Sequence, residues 1–268
     1  VFFSNGMIAK NDMPRASHKK QIECNKFIEI NENKHHNNLD MNPLLTLMQI
    51  NDSVFPIGGF THSYGLETYI TKGLVHDSKT AKEYAQTLLE HSFYYNDAAF
   101  FHKTWQLCET KATKKRVAEL DALITAFKAP YEIRDASKKL GIRFLKLTEK
   151  LQPVKRCSAY LKAINSQELH GHYAMAFAMF AHAQGISYTD ALSAFYYNSL
   201  NGIMTNCAKL VPISQMDAQQ ILFKLQPLIN KLVAAQPALE EDLMGNCCIA
   251  QDIRCMQHEK LYTRIYIS

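Results

Sequence analysis

The chain has 268 residues, of which 47% are hydrophobic and 21% charged, and its formal net charge is +5. That balance predicts a soluble globular protein with enough apolar surface to build a core without metal or disulfide staples. The charge is too mild and too scattered for a nucleic-acid binder, and no apolar run approaches the roughly 18 residues of a membrane span.

Residues 1–40 differ from everything that follows. They are rich in Asn, Lys, His and Glu, lack sustained periodicity and show no secretory pattern. They are expected to be a disordered tail or an upstream extension, with Met41 heading the folded part. After a short apolar helix at 44–50 comes an unusual stretch, D-S-V-F-P-I-G-G-F-T-H-S-Y-G-L-E, at 52–67. Phe55–Pro56 favours an extended or turn dipeptide, and Gly58–Gly59 permit backbone angles that a side chain forbids. Thr61 is placed to cap a helix running from His62 to about Thr71. The stretch therefore predicts a corner between two helices.

Helical periodicity continues from there. Ser78 caps a long segment carrying Ala81, Tyr84, Ala85, Leu88 and Leu89, predicted to run on through Leu107. Further helices are predicted over 117–127, over 132–151, and after Pro153. An Ala-rich helix follows at 170–184, closed by Gly185. Its small side chains suit a central position in a bundle. Helices over 189–210 and 215–225 come next, with Pro227 kinking or restarting the second. The Glu240–Glu241–Asp242 cluster fits the positive end of one more short helix. Alternation of the strand type occurs in 262–267 alone. The prediction is a single all-α, bundle-like domain over 41–268.

Candidate chemistry is sparse. Gly58–Gly59 precede a helix, yet neither nucleotide-loop pattern occurs. Asp52, His62 and Ser63 supply the residue types of a hydrolytic triad, but adjacent residues on a helix diverge by about 100 degrees. His170 and His172 have an H-x-H spacing, His62 and Glu67 share the corner, and His258–Glu259 lacks a second His; none forms a closed ligand set. The seven cysteines (Cys24, Cys108, Cys157, Cys207, Cys247, Cys248 and Cys255) are odd in number and lack C-x-x-C spacing. Reduced thiols in the cytoplasm are expected. The C-terminal run crowds Tyr262, Arg264 and Tyr266 together, residue types that anchor protein interfaces.

Several blocks together resemble one family. Residues 52–67 are similar to the signature corner of the UreF family of urease accessory proteins. R-D-A-S-K-K-L-G-I-R-F-L at 134–145 resembles its R-x-x-S-x-x-x-G block, and H-Y-A-M-A-F-A-M-F-A-H-A-Q-G-I at 172–186 its central helix. K-L-V-P-I-S-Q-M-D-A-Q-Q-I-L at 209–222 is similar to its V-P-[LI]-x-Q-x-[DA] segment. Residues 252–268 resemble its M-x-H-E-x-x-Y-[ST]-R ending. The resemblance implies a non-catalytic, all-α homodimer without catalytic, cofactor or resident metal residues. Its implied role is to bridge a UreD/UreH-type accessory protein and the UreG-type GTPase while nickel is delivered to apo-urease. It further implies a partner-binding surface at Gly59, Phe60, Tyr262, Arg264, Tyr266 and Ser268, with 258–268 ordering against the corner when a partner arrives. The polar side of one helix, Asn198, Asn201 and Thr205, is a candidate lining for a nickel passage. Departures from the family pattern are Phe60, a Tyr in some relatives, and Ala218, commonly Gly. The readings left beside this one are a hydrolase using His62 and Asp52, and a nickel-binding protein using His170 and His172.

Overall fold

A computed structural model of the protein describes residues 42–59 and 62–267; the segment 1–41, with the expected tail or extension, and Phe60, Thr61 and Ser268 lie outside the described residues. Among the described residues there are eleven α-helices and no strand, so the chain is all-α as predicted. In chain order they are α1 (Pro43–Asn51), α2 (Leu66–Thr71), α3 (Ser78–Thr87), α4 (Asp97–Glu109), α5 (Lys114–Phe127) and α6 (Tyr131–Leu151). Then come α7 (Lys155–Asn165), α8 (Tyr173–Ala183), α9 (Tyr188–Leu210), α10 (Gln215–Ala235) and α11 (Ile249–His258).

The Ala-rich helix α8 is the core. Every residue from Ala174 to Ala181 is buried, which a helix of alternating Ala, Met and Phe achieves because small side chains let neighbours approach on all sides. α4 and α6 pack on it from two sides, and α9 pairs along its length with α10. Phe177 stacks on Phe144 of α6 at 5.5 Å between ring centroids. It also meets Phe195 of α9 at 5.6 Å, and Phe195 lies 5.3 Å from Phe101 of α4. These rings knit three helices to the central one.

The R-x-x-S-x-x-x-G block now has a physical reading. Residues at i, i+3 and i+7 share one helix face, and on α6 that face meets the ends of its neighbours. Arg134 donates to the carbonyls of Lys128 and Ala129 just past α5, at 2.7 and 3.1 Å. Ser137 meets His172 Nδ1 at 3.1 Å. At Gly141 an added Cβ would lie 2.1 Å from the carbonyl oxygen of Gly171, so this position admits no side chain. The loop pressed against it is fixed by buried Asp121, which accepts the backbone N–H groups of His170 and Gly171 and the hydroxyl of Tyr160.

Several expected boundaries shift for identifiable reasons. The long segment from Ser78 is divided: α3 passes into a π-helical turn (Leu88–Phe93), and α4 begins anew after Asn96. The lysine-rich stretch before Val117 is the first turn of α5, capped by the Thr113 hydroxyl. The Ala-rich helix starts three residues late, because Gly171 sits at φ +85° and breaks the turn. α10 runs through Pro227 to Ala235 without a restart. The acidic cluster falls in a short 3-10 turn (Glu241–Leu243), where Glu241 pairs with Lys103. Helix α11 had no sequence-based expectation, although Gln251, Cys255 and His258 recur at helical spacing on its buried side.

Candidate partner-binding site

The corner is built differently from its sequence expectation. The Asp52 carboxylate accepts the Val54 N–H at 2.8 Å, and the Asp52 carbonyl accepts the Phe55 N–H, which turns the chain straight after α1. No helix begins at His62. Tyr64 and Gly65 both have left-handed backbone angles (φ 53° and 80°), so helical geometry starts only at Leu66. Gly65 does more than turn the chain: a Cβ there would lie 3.0 Å from the Cys255 sulfur and 3.3 Å from its backbone nitrogen. Helix α11 therefore lies directly on the corner. Its seat is completed by the Tyr64 carbonyl, which accepts from Tyr84 Oη at 2.8 Å and from Gln251 Nε2, and by Thr68, whose hydroxyl donates to the Arg254 carbonyl at 3.0 Å.

The polar centre of this contact is Glu67. Its carboxylate is buried and accepts the backbone N–H groups of Ile265 at 2.7 Å and Tyr266 at 3.1 Å. His258, fully buried at the end of α11, stands between two carboxylates. Nε2 lies 2.8 Å from Glu67 and Nδ1 lies 2.6 Å from Glu132 at the start of α6. The second oxygen of Glu132 accepts from Arg264 at 2.7 Å. Both ring nitrogens of His258 are engaged by carboxylates, and Arg264 adds its charge beside Glu132. Four side chains from α2, α6, α11 and the tail thus close a charge-assisted network around the last turn of the chain.

This network explains why the alternating C-terminal run is not a strand. Two successive amides are given to one carboxylate instead of to a neighbouring strand. Tyr266 turns inward, 9% exposed, while Ile265 and Ile267 on either side are 76% and 61% exposed. Burial and then the Glu67 charge push the Tyr266 phenol above its ordinary value. Tyr262 is fully exposed. On α11 itself Ile249, Ile253 and Met256, at i, i+4 and i+7, are also exposed, so the outer face beside the tail is apolar.

Of the residues expected at a partner surface, Tyr262, Arg264 and Tyr266 therefore fall in the one segment seated on Glu67 and Glu132. Gly59 lines a different feature, a small chamber of about 60 Å³ with Asp52, Tyr64, Tyr173 and Asn198 and the Asp97–Lys128 ion pair on its walls. Asn201 and Thr205 are not among its lining residues. Phe60 and Ser268 lie outside the described residues. Sequence reasoning assigned Glu67 to the corner and Glu132 to a helix start, and missed their joint role. The available signal was His258 at the head of H-E-K-L-Y-T-R, a titratable residue seven positions before Ile265.

The alternative chemistries are placed as follows. His172 is fully buried before α8, with Nε2 2.8 Å from the Thr125 hydroxyl and Nδ1 facing Ser137, so both ring nitrogens are engaged. Burial, followed by the charge of Lys128, lowers it to about 2. His62 is lowered to about 4 by burial and by Lys139, and its backbone carbonyl accepts from Asn206. Asp52 is exposed and engaged in its own turn. Among the described residues no group of three or more His, Cys, Asp or Glu is arranged to hold a metal ion.

Fold and site together define an all-helical protein whose C-terminal segment is seated by buried carboxylates on a corner of the same chain. The UreF family profile matches residues 75–226, more than half of the chain. The chain is 40% identical over 232 residues to the urease accessory protein UreF of Haemophilus influenzae (strain ATCC 51907), covering 86% of this chain and 98% of the relative. It is 39% identical over 228 residues to that of Actinobacillus pleuropneumoniae serotype 5b, covering 85% and 100%. The corresponding protein of Corynebacterium efficiens is 30% identical over 228 residues, covering 85% and 98%. The chain belongs to the UreF family.

Proposed function

We propose that the chain is a non-catalytic urease maturation factor. In this reading it works in the cytoplasm as a homodimer, bridging a UreD/UreH-type accessory protein and a UreG-type GTPase while nickel is delivered to apo-urease. The observation that carries the reading is the seated tail. A terminus held by buried charges, with Tyr262, Ile265 and Ile267 turned outward beside the exposed Ile249, Ile253 and Met256, offers apolar and aromatic anchors on a rigid base. Such anchors on a preorganised surface are what protein interfaces use, since little ordering entropy is lost on binding. Family membership supports the maturation role, and engagement of both His172 nitrogens weighs against nickel storage at His170 and His172.

Stepwise co-purification tests it. The tagged protein is expected to retain a UreD/UreH-type protein, and that pair to retain the GTPase. Failure to hold either component at micromolar concentration would overturn the bridging role.

A further inference from the structure

A cavity of about 560 Å³ opens between α5 and α7, on residues remote in sequence from both corner and tail. Its volume falls within the roughly 300–1,000 Å³ of small-molecule pockets. At one end stand Lys114 and Lys115 from the first turn of α5, with Lys155 and Arg156 from the first turn of α7. Further along the two helices the walls are small and apolar, formed by Ala118, Ala159 and Ala163. Buried Tyr160 and Met179 make the floor, the Tyr160 hydroxyl being committed to Asp121.

The charges are placed against their own helices. Helix N-termini are positive and favour acidic side chains, yet neither first turn contains one; that of α5 carries three cations, Lys114, Lys115 and Arg116, and that of α7 two. Val154 gives α7 no side-chain cap. Among the described residues Lys114 and Lys155 form no ion pair, and Lys115 makes a single exposed contact with Glu119 at 3.9 Å. An anion between the two turns relieves both the mutual repulsion and the unfavourable dipoles. Glu168 stands among the lining residues contributed from beyond the end of α7, and would repel an anionic head from that side. From Lys155 to Ala163 the slot runs eight helical residues, roughly 12 Å. A slot of that length offers far less surface than the roughly 800 Å² per partner of a stable protein interface, so it suits a compact ligand.

We propose that this slot binds a small amphipathic anion, its carboxylate or phosphate head at Lys114, Lys115, Lys155 and Arg156 and its apolar body along Ala118, Ala159 and Ala163. The site is independent of the tail and of the bridging role. Decanoate below its micelle-forming concentration is the probe, titrated calorimetrically into the full chain, with decanol as the neutral comparator. One decanoate per chain is expected, bound at least about tenfold more tightly than decanol, the factor that ~1.4 kcal/mol represents. The double variant Lys114→Ala/Lys155→Ala is expected to lose about tenfold in affinity by the same conversion. Ala159→Phe keeps the charges but fills the slot, and is expected to abolish binding; Ala159 is exposed, so circular dichroism should be unchanged. Absent decanoate binding, equal binding by decanol, or unchanged binding in either variant would overturn the assignment. So would association with phosphatidylglycerol vesicles without decanoate binding, which would make the basic end a membrane contact.

Discussion

Glu67 would be a costly residue to bury alone, since a desolvated carboxylate loses several kcal/mol of hydration. It is tolerated because each oxygen has donors: two tail amides and the His258 ring. Hydrogen bonds to a charged group are worth about 1.5–3 kcal/mol each, enough to hold a short terminal segment that would otherwise fray. His172 illustrates the opposite solution, a buried imidazole kept neutral between two hydroxyls. Its pKa is held far below the ordinary 6.5, so above about pH 6.5 it is neutral both folded and unfolded. As pH falls below that value the unfolded chain takes up a proton that the folded chain refuses, and stability declines. At about pH 5 the loss from this residue is about 2 kcal/mol, whatever its folded pKa below about 4. His62, lowered by burial, adds to the decline in the same direction. Urea unfolding should show this slope between about pH 7 and 5 in the native chain and a shallower one in His172→Gln. Identical slopes would contradict the assignment.

At the scale of the helix, the tightest contact lies where α6 crosses the loop into α8. Gly141→Ala would drive a methyl against the Gly171 carbonyl and the His172–Tyr173 peptide, all of them backbone atoms that cannot rotate away. Overpacking in cores commonly costs 1–3 kcal/mol, and backbone-on-backbone crowding should place this variant at about 3 kcal/mol or more. Urea midpoints measure it directly; a variant as stable as the parent would mean that α6 and the loop are not locked together. Such contacts mark the boundary of what the sequence discloses. Periodicity found the long helices because a buried stripe repeats along them, and α8 stood out by its alternating Ala and Phe. It did not find the break at Asn96 or the π-helical turn, which tertiary packing imposes on residues of ordinary helical preference. The start of α2 moved because Tyr64 adopts a left-handed angle rarely taken by a non-glycine residue, next to Gly65 on which α11 lies.

Over the whole molecule, corner and tail are 190 or more positions apart in sequence, yet they form a single polar site. Each half was visible in the sequence as an unusual stretch. Their chemical link was not, because Glu67, Glu132 and His258 are unremarkable until three helices bring them together. Among the described residues no helix is long and apolar enough to cross a membrane. The outward apolar face beside the tail is the surface on which the proposed bridging role rests. The most direct test of that role is GTPase recruitment by Arg264→Ala, assayed by co-purification on the complex with the UreD/UreH-type protein. Arg264 is 40% exposed, so its removal should leave helicity, thermal unfolding and dimerisation close to those of the parent. It frees Glu132 from the tail, however, and should abolish retention of the GTPase, with Glu67→Gln acting in the same direction. Unchanged GTPase retention by a folded Arg264→Ala protein would contradict a partner surface built on the seated tail.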